Sequence, residues 1–248
     1  MFVKIYQKYV LYALYKKKYT KKHANMPNFF TLIGLATNRN HRGYKAYLAS
    51  AEKHGVNTNV VGLDQAWGGW KWRTQQYIKT LSTLEGDDMV GVMDTYDVLV
   101  AGSGYKMYDI YMKLVGNDTG KIVFGMEKYN GRNTYGDVND DGGLPNVNAG
   151  CCFGRVDILR KIWKRVSNTY DKINSLDDQF TLGYLLTNDP EIRSLVVFDS
   201  RSALITNVTA YYASTINSVH ELNTPILHFP GGLLLSGNLV KFYNHYMR

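Results

Sequence analysis

The sequence predicts an α/β fold in which a mostly parallel central sheet is flanked by helices. Apolar runs typical of buried strands alternate with segments whose apolar residues recur at helical spacing, and the first half of the chain has the order β-α-β-α-β. Because such an order requires right-handed crossovers, helices are expected on both faces of the sheet. The chain has 248 residues, 45% of them hydrophobic, which is enough for one large core.

Each predicted element rests on its own pattern. Phe29–Thr37, Asn57–Leu63 and Met89–Met93 are apolar runs rich in strand formers. The helix after the first strand ends at Gly55, and a second helix is predicted over Thr74–Leu84. The later predictions are helices at Met107–Val115, Val156–Val166 and Gln179–Leu186, and strands at Lys121–Met126, Asn148–Gly154, Leu195–Phe198 and Thr224–Leu227. Residues 128–147 are predicted to form a long irregular loop at the active site.

The positive charge is confined to the N-terminus. Residues 1–27 hold seven of the 29 basic residues and no acidic one, so the rest of the chain has 22 basic against 21 acidic residues. A nearly neutral body without a recognisable motif excludes a nucleic-acid-binding domain. We therefore predict a basic amphipathic arm at 1–27 and one domain at 28–248. The arm is expected to pack on the domain or on a second copy in a homodimer, or alternatively to lie on a membrane surface.

Several features bear on the cellular compartment. The arm is too interrupted by lysines to span a membrane and has no convincing signal-peptide cleavage site. Cys151 and Cys152 are adjacent and are predicted to be free, buried thiols, so nothing demands an oxidising compartment. Sequons at Asn117 and Asn207 are weak evidence for secretion. The compartment stays open, with a cytoplasmic or virus-associated location expected over a secreted one.

An acidic pair follows the third predicted strand. Asp94 and Asp97 are three residues apart on the turn after Met89–Met93, where ligands bind in sheets of this kind. Carboxylate oxygens are suitable ligands for Mg²⁺ or Mn²⁺. Phosphate oxygens and water commonly complete the coordination shell of these ions. Alone this pair is a weak signal, because aspartate is common in turns.

Six segments in order carry a resemblance to a known family. They read ATNRNHRGYKAYLASAEKHGVNTNVVGLDQAW, GGWKWR, DTYDVLVAG, NAGCCFG, LDDQ and LHFPG. Together they resemble the glycosyltransferase domain of procollagen lysyl hydroxylases, and still more the stand-alone collagen glycosyltransferases of giant viruses. The resemblance covers roughly Thr31 to Tyr246. It implies a GT-A glycosyltransferase fold, a UDP-sugar donor and Mn²⁺, with Mg²⁺ as the alternative ion.

The resemblance also assigns a metal site. Asp94 and Asp97 match the family's metal-binding pair, and His228 matches its third ligand. Imidazole is an acceptable ligand for Mn²⁺. A single histidine after a strand is otherwise more often structural, so this assignment depends on the order of the motifs.

The donor-site residues follow by the same comparison. Tyr96 matches an aromatic residue that stacks on uracil, and Thr37 one that contacts the nucleotide. Trp67 falls in the donor pocket, and Lys71 matches a lysine facing the diphosphate, where its ammonium acts as a point charge. Each assignment has an alternative: Tyr96 as a core residue, Trp67 as part of a hydrophobic cluster with Trp70 and Trp72, and Lys71 as a solvated charge. Gly231 is assigned to the donor site, although its turn, FPGG, lacks the asparagine of the animal domains.

Two adjacent aspartates are the catalytic candidates. Asp177 and Asp178 match a family stretch that lines the acceptor side. The equally weighted alternative is that Asp178 only caps the following helix, and the capping and catalytic roles could also be divided between the two aspartates. The function expected from the resemblance is retaining transfer of glucose from UDP-glucose to galactosyl-hydroxylysine in a collagen-like protein. The alternatives are transfer of galactose from UDP-galactose to hydroxylysine itself, and a non-catalytic collagen- or glycan-binding module.

Overall fold

The computed structural model describes residues 30–127, 147–175, 177–208 and 223–230. The predicted arm at 1–27, nearly all of the predicted loop at 128–147, and Gly231 lie outside these ranges. Within the described residues, no helix is long and apolar enough to cross a membrane.

The described part of the chain contains six helices and nine strands. The helices are α1 (Arg42–Lys53), α2 (Gly69–Leu81), α3 (Gly104–Leu114), α4 (Val156–Tyr170), α5 (Asp178–Asn188) and α6 (Pro190–Ser194). The strands are β1 (Thr31–Leu35), β2 (Thr58–Val61), β3 (Met89–Asp94), β4 (Val98–Val100), β5 (Ile122–Met126), β6 (Val147–Arg155), β7 (Val196–Asp199), β8 (Ile205–Asn207) and β9 (Ile226–His228). Every predicted helix and strand is found, with shifted ends. Strands β4 and β8 and helix α6 were not predicted.

The central sheet has six strands in the order β2-β1-β3-β6-β5-β7. Strands β2, β1, β3, β5 and β7 run in the same direction, whereas β6 is antiparallel to both of its neighbours. The predicted mostly parallel sheet is therefore confirmed, with one reversed strand in its middle. Since β3 lies between β1 and β6, the turn that follows it opens at the centre of the sheet edge.

Side chains alternate across this sheet into two cores. On one face, Ile33 of β1 and Val92 of β3 pack with helices α2, α4 and α5 around Trp163, which is fully buried. On the other face, Leu32 and Met93 pack with α1 and α3. The alternation follows from the two-residue period of a strand and produces the expected layer of helices on each side.

A second sheet of three strands has the order β4-β9-β8. Strand β4 is antiparallel to β9, and β8 is parallel to β9. Apolar residues of all three strands, including Val100, Ile205 and Ile226, join the core that contains α1 and α3. The small sheet is thus packed against the central one and brings the end of β9 close to the end of β3.

Cys151 and Cys152 lie on β6 and are free and buried, as predicted. Burial raises the pKa of both thiols well above the ordinary value. Both side chains are therefore neutral core residues at physiological pH.

Helix α1 lies directly against the turn that carries the acidic pair. A Cβ atom added at Gly43 would be 1.8 Å from the carbonyl oxygen of Tyr96, so only glycine allows this contact. We expect Gly43→Ala to lower the free energy of unfolding by about 1–3 kcal/mol, because the backbone of the turn has to move. Urea-induced unfolding measures this change.

Gly183 of α5 provides the matched control, because a Cβ atom there meets nothing within 4 Å. Gly183→Ala is expected to stabilise the protein by about 0.5–1 kcal/mol, since it removes the entropic cost of glycine in a helix. Equal stability of the Gly43→Ala variant and the wild type would contradict the packing described for α1.

Candidate active site

The two aspartates are held by the ends of two strands that are successive in the chain and belong to different sheets. Asp94 is the last residue of β3, and Asp97 immediately precedes β4. Between them, the hydroxyl of Thr95 is buried and donates to the carbonyl oxygen of Leu35 at 2.5 Å, which ties the turn to the end of β1. Both carboxylates are consequently fixed at the edge of the central sheet.

His228 reaches the aspartates through the small sheet. In the antiparallel pairing of β4 with β9, His228 lies opposite Val98, and the backbone N–H of Phe229 donates to the carbonyl oxygen of Asp97 at 2.8 Å. The Nε2 atom of His228 is 3.5 Å from Oδ2 of Asp97 and 3.9 Å from Oδ2 of Asp94. One ligand atom from each residue lies within 4.8 Å of the others.

The three side chains fit a divalent cation. His228 Nε2 and Asp97 Oδ1 are buried and have no hydrogen-bond partner among the described residues. A Cβ atom at Gly150 would be 2.6 Å from Cε1 of His228 and 2.7 Å from Oδ2 of Asp94, so the glycine keeps this space open. Two carboxylates and an imidazole are a donor set suited to Mn²⁺ or Mg²⁺.

The protonation of these groups reflects their burial and proximity. Burial raises the pKa of Asp94, although the charge of Arg73 opposes the effect. Burial alone would lower the pKa of His228, but the carboxylates of Asp97, Asp94 and Glu127 together outweigh it, and the net shift is upward. A cation bound here would therefore compete with protons for the same atoms.

Arg73 of α2 is a buried cation that the sequence analysis missed. One of its terminal nitrogens contacts Oδ1 of Asp94, while its Nε donates to Oδ2 of Asp178 at 2.9 Å. Its guanidinium carbon lies 4.7 Å from the ring centroid of Trp70 and 5.7 Å from that of Tyr77. Burial alone would lower the pKa of Arg73, but the two carboxylates raise it well above the ordinary value. Arg73 therefore stays charged.

The two candidate catalytic aspartates have different environments. Asp177 is the N-cap of α5, and its Oδ1 accepts from the backbone N–H groups of Gln179 and Phe180 at 2.7 and 3.1 Å. Asp178, the first residue of the helix, points inward and is 3% exposed. Burial raises its pKa to about 6 against the opposing effect of Arg73. The alternative in which Asp178 caps the helix is therefore wrong, because the cap is Asp177 and Asp178 is already the first helical residue. Asp178 is instead connected through Arg73 to Asp94.

A cavity of about 400 Å³ opens beside the aspartates, which is within the usual range for small-ligand sites. Its lining includes Thr37, Trp67, Trp70, Arg73, Asp94, Tyr96 and Asp97. The cavity therefore contains three of the predicted donor-site residues together with the acidic pair.

Tyr96 is fixed within the cavity wall. Its hydroxyl accepts from the backbone N–H groups of Thr37 and Asn38 at 2.8 and 2.7 Å, and it is 3.2 Å from the hydroxyl of Thr37. The ring of His41 packs against the tyrosine, with 4.1 Å between ring centroids. An aromatic ring held in this way can stack on a planar base with little loss of side-chain entropy.

One predicted donor-site residue, Lys71, does not line the cavity, and another, Gly231, is not described by the structure. The ammonium of Lys71 on α2 contacts both carboxylate oxygens of Asp171, at 2.7 and 2.8 Å, and Lys71 is not among the residues lining the cavity. Gly231 lies outside the described residues. Of the predicted site, the structure brings together Asp94, Asp97 and His228 as a cluster, with Asp178 joined to it by Arg73.

The central sheet with paired carboxylates at the end of β3, and the histidine supplied by a small second sheet, fit the GT-A glycosyltransferase fold that the resemblance implies. The crystal structure of a glycosyltransferase involved in the glycosylation of the major capsid of PBCV-1 superposes with a TM-score of 0.56. The alignment covers 88% of this chain and 98% of that chain, at 15% sequence identity. At that identity the match shows the fold.

The family follows from the sequence. The profile described as PLOD GT domain matches residues 27–223, which is well over half of the chain. No curated protein matches the chain. The chain belongs to the PLOD GT domain family and is a glycosyltransferase, so the resemblance carried by the six motifs is confirmed.

The buried charges around Arg73 yield a stability prediction. Arg73→Met leaves the 3% exposed carboxylate of Asp178 without a cation, and we expect the free energy of unfolding to fall by about 3–5 kcal/mol. The double variant Arg73→Met/Asp178→Leu removes both charges of this pair and is expected to regain part of that loss, because Asp94 still lacks its guanidinium partner. Urea titrations of the three proteins measure it. A double variant as unstable as the single one would show that the ion pair is not the cause.

Proposed function

We propose that this glycosyltransferase moves glucose from UDP-glucose to galactosyl-hydroxylysine in a collagen-like acceptor, with a bound divalent cation, preferably Mn²⁺. The observation that carries the proposal is the convergence of Asp94, Asp97 and His228, in which Oδ1 of Asp97 and Nε2 of His228 are buried and have no hydrogen-bond partner among the described residues. The family supports a nucleotide-sugar donor and a collagen-related acceptor.

In this proposal the cavity holds the UDP part of the donor. Tyr96 offers its ring to the uracil, Thr37 contacts the nucleoside, and the half-exposed Trp67 forms another part of the cavity wall. Trp67 meets Trp70 edge to face, with 5.2 Å between ring centroids, so the wall is itself an aromatic cluster. The tryptophans can therefore line the donor pocket and form a hydrophobic cluster at the same time.

Asp94, Asp97 and His228 would hold the cation beside the diphosphate. When bound, the ion supplies positive charge that stabilises the departing UDP. Asp94 can serve two partners because its Oδ1 contacts Arg73, whereas its Oδ2 faces His228. Lys71 would have to exchange Asp171 for the diphosphate in order to contribute.

Transfer is proposed to retain the anomeric configuration. The bond from the anomeric carbon to the diphosphate oxygen breaks, the bond to the acceptor oxygen forms on the same face, and the acceptor proton passes to the departing diphosphate. Asp178 then orients the acceptor hydroxyl or stabilises positive charge on the sugar, while Asp177 holds the N-terminus of α5 in place.

Release of UDP from a panel of UDP-sugars tests the reaction. We expect turnover of UDP-glucose that needs Mn²⁺, stops with EDTA and increases with a galactosyl-hydroxylysine peptide. Turnover of UDP-galactose with a hydroxylysine peptide would instead identify the first sugar transfer. A folded protein that binds collagen peptide and turns over no donor would be a binding module and would overturn the proposal.

A near-isosteric variant tests the metal site. Asp97→Asn is expected to lower Mn²⁺ affinity and turnover by more than about 100-fold, since removing even a partner of a ligand commonly costs 10–100-fold. Asp171→Asn is the matched control, because its carboxylate side chain is 77% exposed and pairs only with Lys71 among the described residues. The control should retain the Mn²⁺ affinity of the wild type. Undiminished turnover by folded Asp97→Asn would contradict the assignment.

A further inference from the structure

We propose that Asn207 is a positioning residue that fixes the tautomer of His228, so that Nε2 of the imidazole carries a lone pair towards the two aspartates. The inference rests on the proposed metal site, and it concerns a residue that neither the sequence motifs nor the family match assigns.

The backbone of β8 places Asn207 beside the histidine. In the parallel pairing of β8 with β9, Asn207 lies opposite His228, and the N–H of Val208 donates to the carbonyl oxygen of His228 at 2.6 Å. Asn207 is 2% exposed and His228 is 1% exposed. The two side chains therefore meet in a dry environment, where an unmade hydrogen bond costs about 1–3 kcal/mol.

The orientation of the Asn207 amide is determined by a backbone group. Its Nδ2 lies 2.9 Å from the carbonyl oxygen of Met126, which only accepts hydrogen bonds. The NH₂ group must therefore face Met126, and the remaining Oδ1 must face the histidine.

This orientation determines which nitrogen of the imidazole carries the proton. Oδ1 of Asn207 lies 2.7 Å from Nδ1 of His228 and has no hydrogen to donate, so Nδ1 must carry a proton. In the neutral ring, Nε2 is then the unprotonated nitrogen. It is the buried atom without a hydrogen-bond partner among the described residues, and it faces Asp94 and Asp97. A histidine ligand needs this arrangement, in which the second nitrogen donates to a fixed acceptor.

A glycine on β5 makes room for the amide. A Cβ atom at Gly125 would lie 2.9 Å from Nδ2 of Asn207 and 2.8 Å from Cγ2 of Ile205, closer than such atoms normally approach. Strand β8 can therefore lie near enough to β5 for Asn207 to reach Met126. The same burial explains why the Asn207 sequon is unsuitable for a glycan in this fold, because its amide nitrogen is enclosed and already bonded.

Nitrogen NMR of the metal-free protein tests the tautomer directly. With ¹⁵N-labelled imidazole, at a pH where His228 is neutral, the wild type should show protonated Nδ1 and unprotonated Nε2. Asn207→Leu removes the acceptor at similar volume, so the ring should shift towards protonated Nε2, with its proton directed at Asp97. A wild type that carries its proton on Nε2 would overturn the proposal, whatever the variants do.

Mn²⁺ affinity, measured by the electron paramagnetic resonance signal of free Mn²⁺, gives the second readout. Asn207→Leu is expected to bind Mn²⁺ about 10–100-fold more weakly than the wild type. Asn207→Asp keeps an acceptor opposite Nδ1 and is expected to bind at least as tightly as the wild type, although it loses the bond to Met126. Equal weakening in both variants would assign Asn207 a merely structural role.

Asn188→Leu is the control for loss of an amide-to-backbone hydrogen bond, because the exposed Asn188 donates to the carbonyl oxygen of Tyr184 at 2.8 Å. It should leave both the tautomer and the affinity unchanged. If the wild type binds no Mn²⁺ at all, the proposed metal site fails, while the tautomer measurement still decides the role of Asn207. If Asn207→Leu does not fold, the Asn207→Asp variant and the wild-type spectrum carry the test.

Discussion

The ion pairs that Arg73 makes with Asp94 and Asp178 allow three carboxylates to coexist in one part of the molecule. Asp94, Asp97 and Arg73 line the cavity, whereas Asp178 is buried and is not among its lining residues. Two like charges about 4 Å apart repel by roughly 4 kcal/mol at an effective dielectric constant of 20, which is a large part of the stability of a domain. A lysine would supply the same charge but not several donors in one plane, which the contacts to two different carboxylates require. Trp70 and Tyr77 flank the guanidinium and keep it in position.

The cluster of Asp94, Asp97 and His228 is assembled from segments far apart in the chain. The aspartates come from the end of β3 and the start of β4, whereas His228 comes from β9 near the end of the described residues. The small sheet makes the connection, because β4 fixes the position of β9 and β9 in turn fixes the position of β8. Asn207 lies on β8, which is separated from β4 by β9. In its proposed role it therefore orients His228 towards Asp97, which immediately precedes β4. The site depends on the register of this sheet as much as on the identity of its residues.

Much of the fold was predictable because strand and helix periods are local properties. The runs that form β1 and β3 and the stripes of α1 and α4 were located within a few residues. The reversed direction of β6 was not predictable, since an apolar run carries no sign of the direction in which it pairs. Strands β4 and β8 have three residues each, which is too few to show the alternation of buried and exposed residues that predicts a strand. They also form by pairing with residues that are distant in the sequence.

The candidate site was predictable only where motifs carried it. The acidic pair and His228 were located by their motifs, whereas Arg73 was missed because a charged residue near a helix start is ordinarily read as exposed. The spacing does indicate that Arg73 is buried, because it lies four residues before Tyr77 and eight before Leu81, on the buried face of α2. Starting that helix at Thr74 placed the arginine outside it.

The adjacent aspartates illustrate how helix geometry separates two chemically identical side chains. Asp177 has extended backbone angles, φ −126° and ψ 129°, so its carboxylate folds back onto the free N–H groups of the first turn. Asp178 is already helical, and its side chain points from the helix into the core. The positive end of the helix dipole and Arg73 both favour its charged form, yet its pKa still rises to about 6, which means that desolvation is the larger effect. Because burial sets this balance, Asp178 is mostly ionised at neutral pH but has a pKa only slightly below that pH. The carboxylate of Asp177 caps the helix in which Asp178 is the first residue.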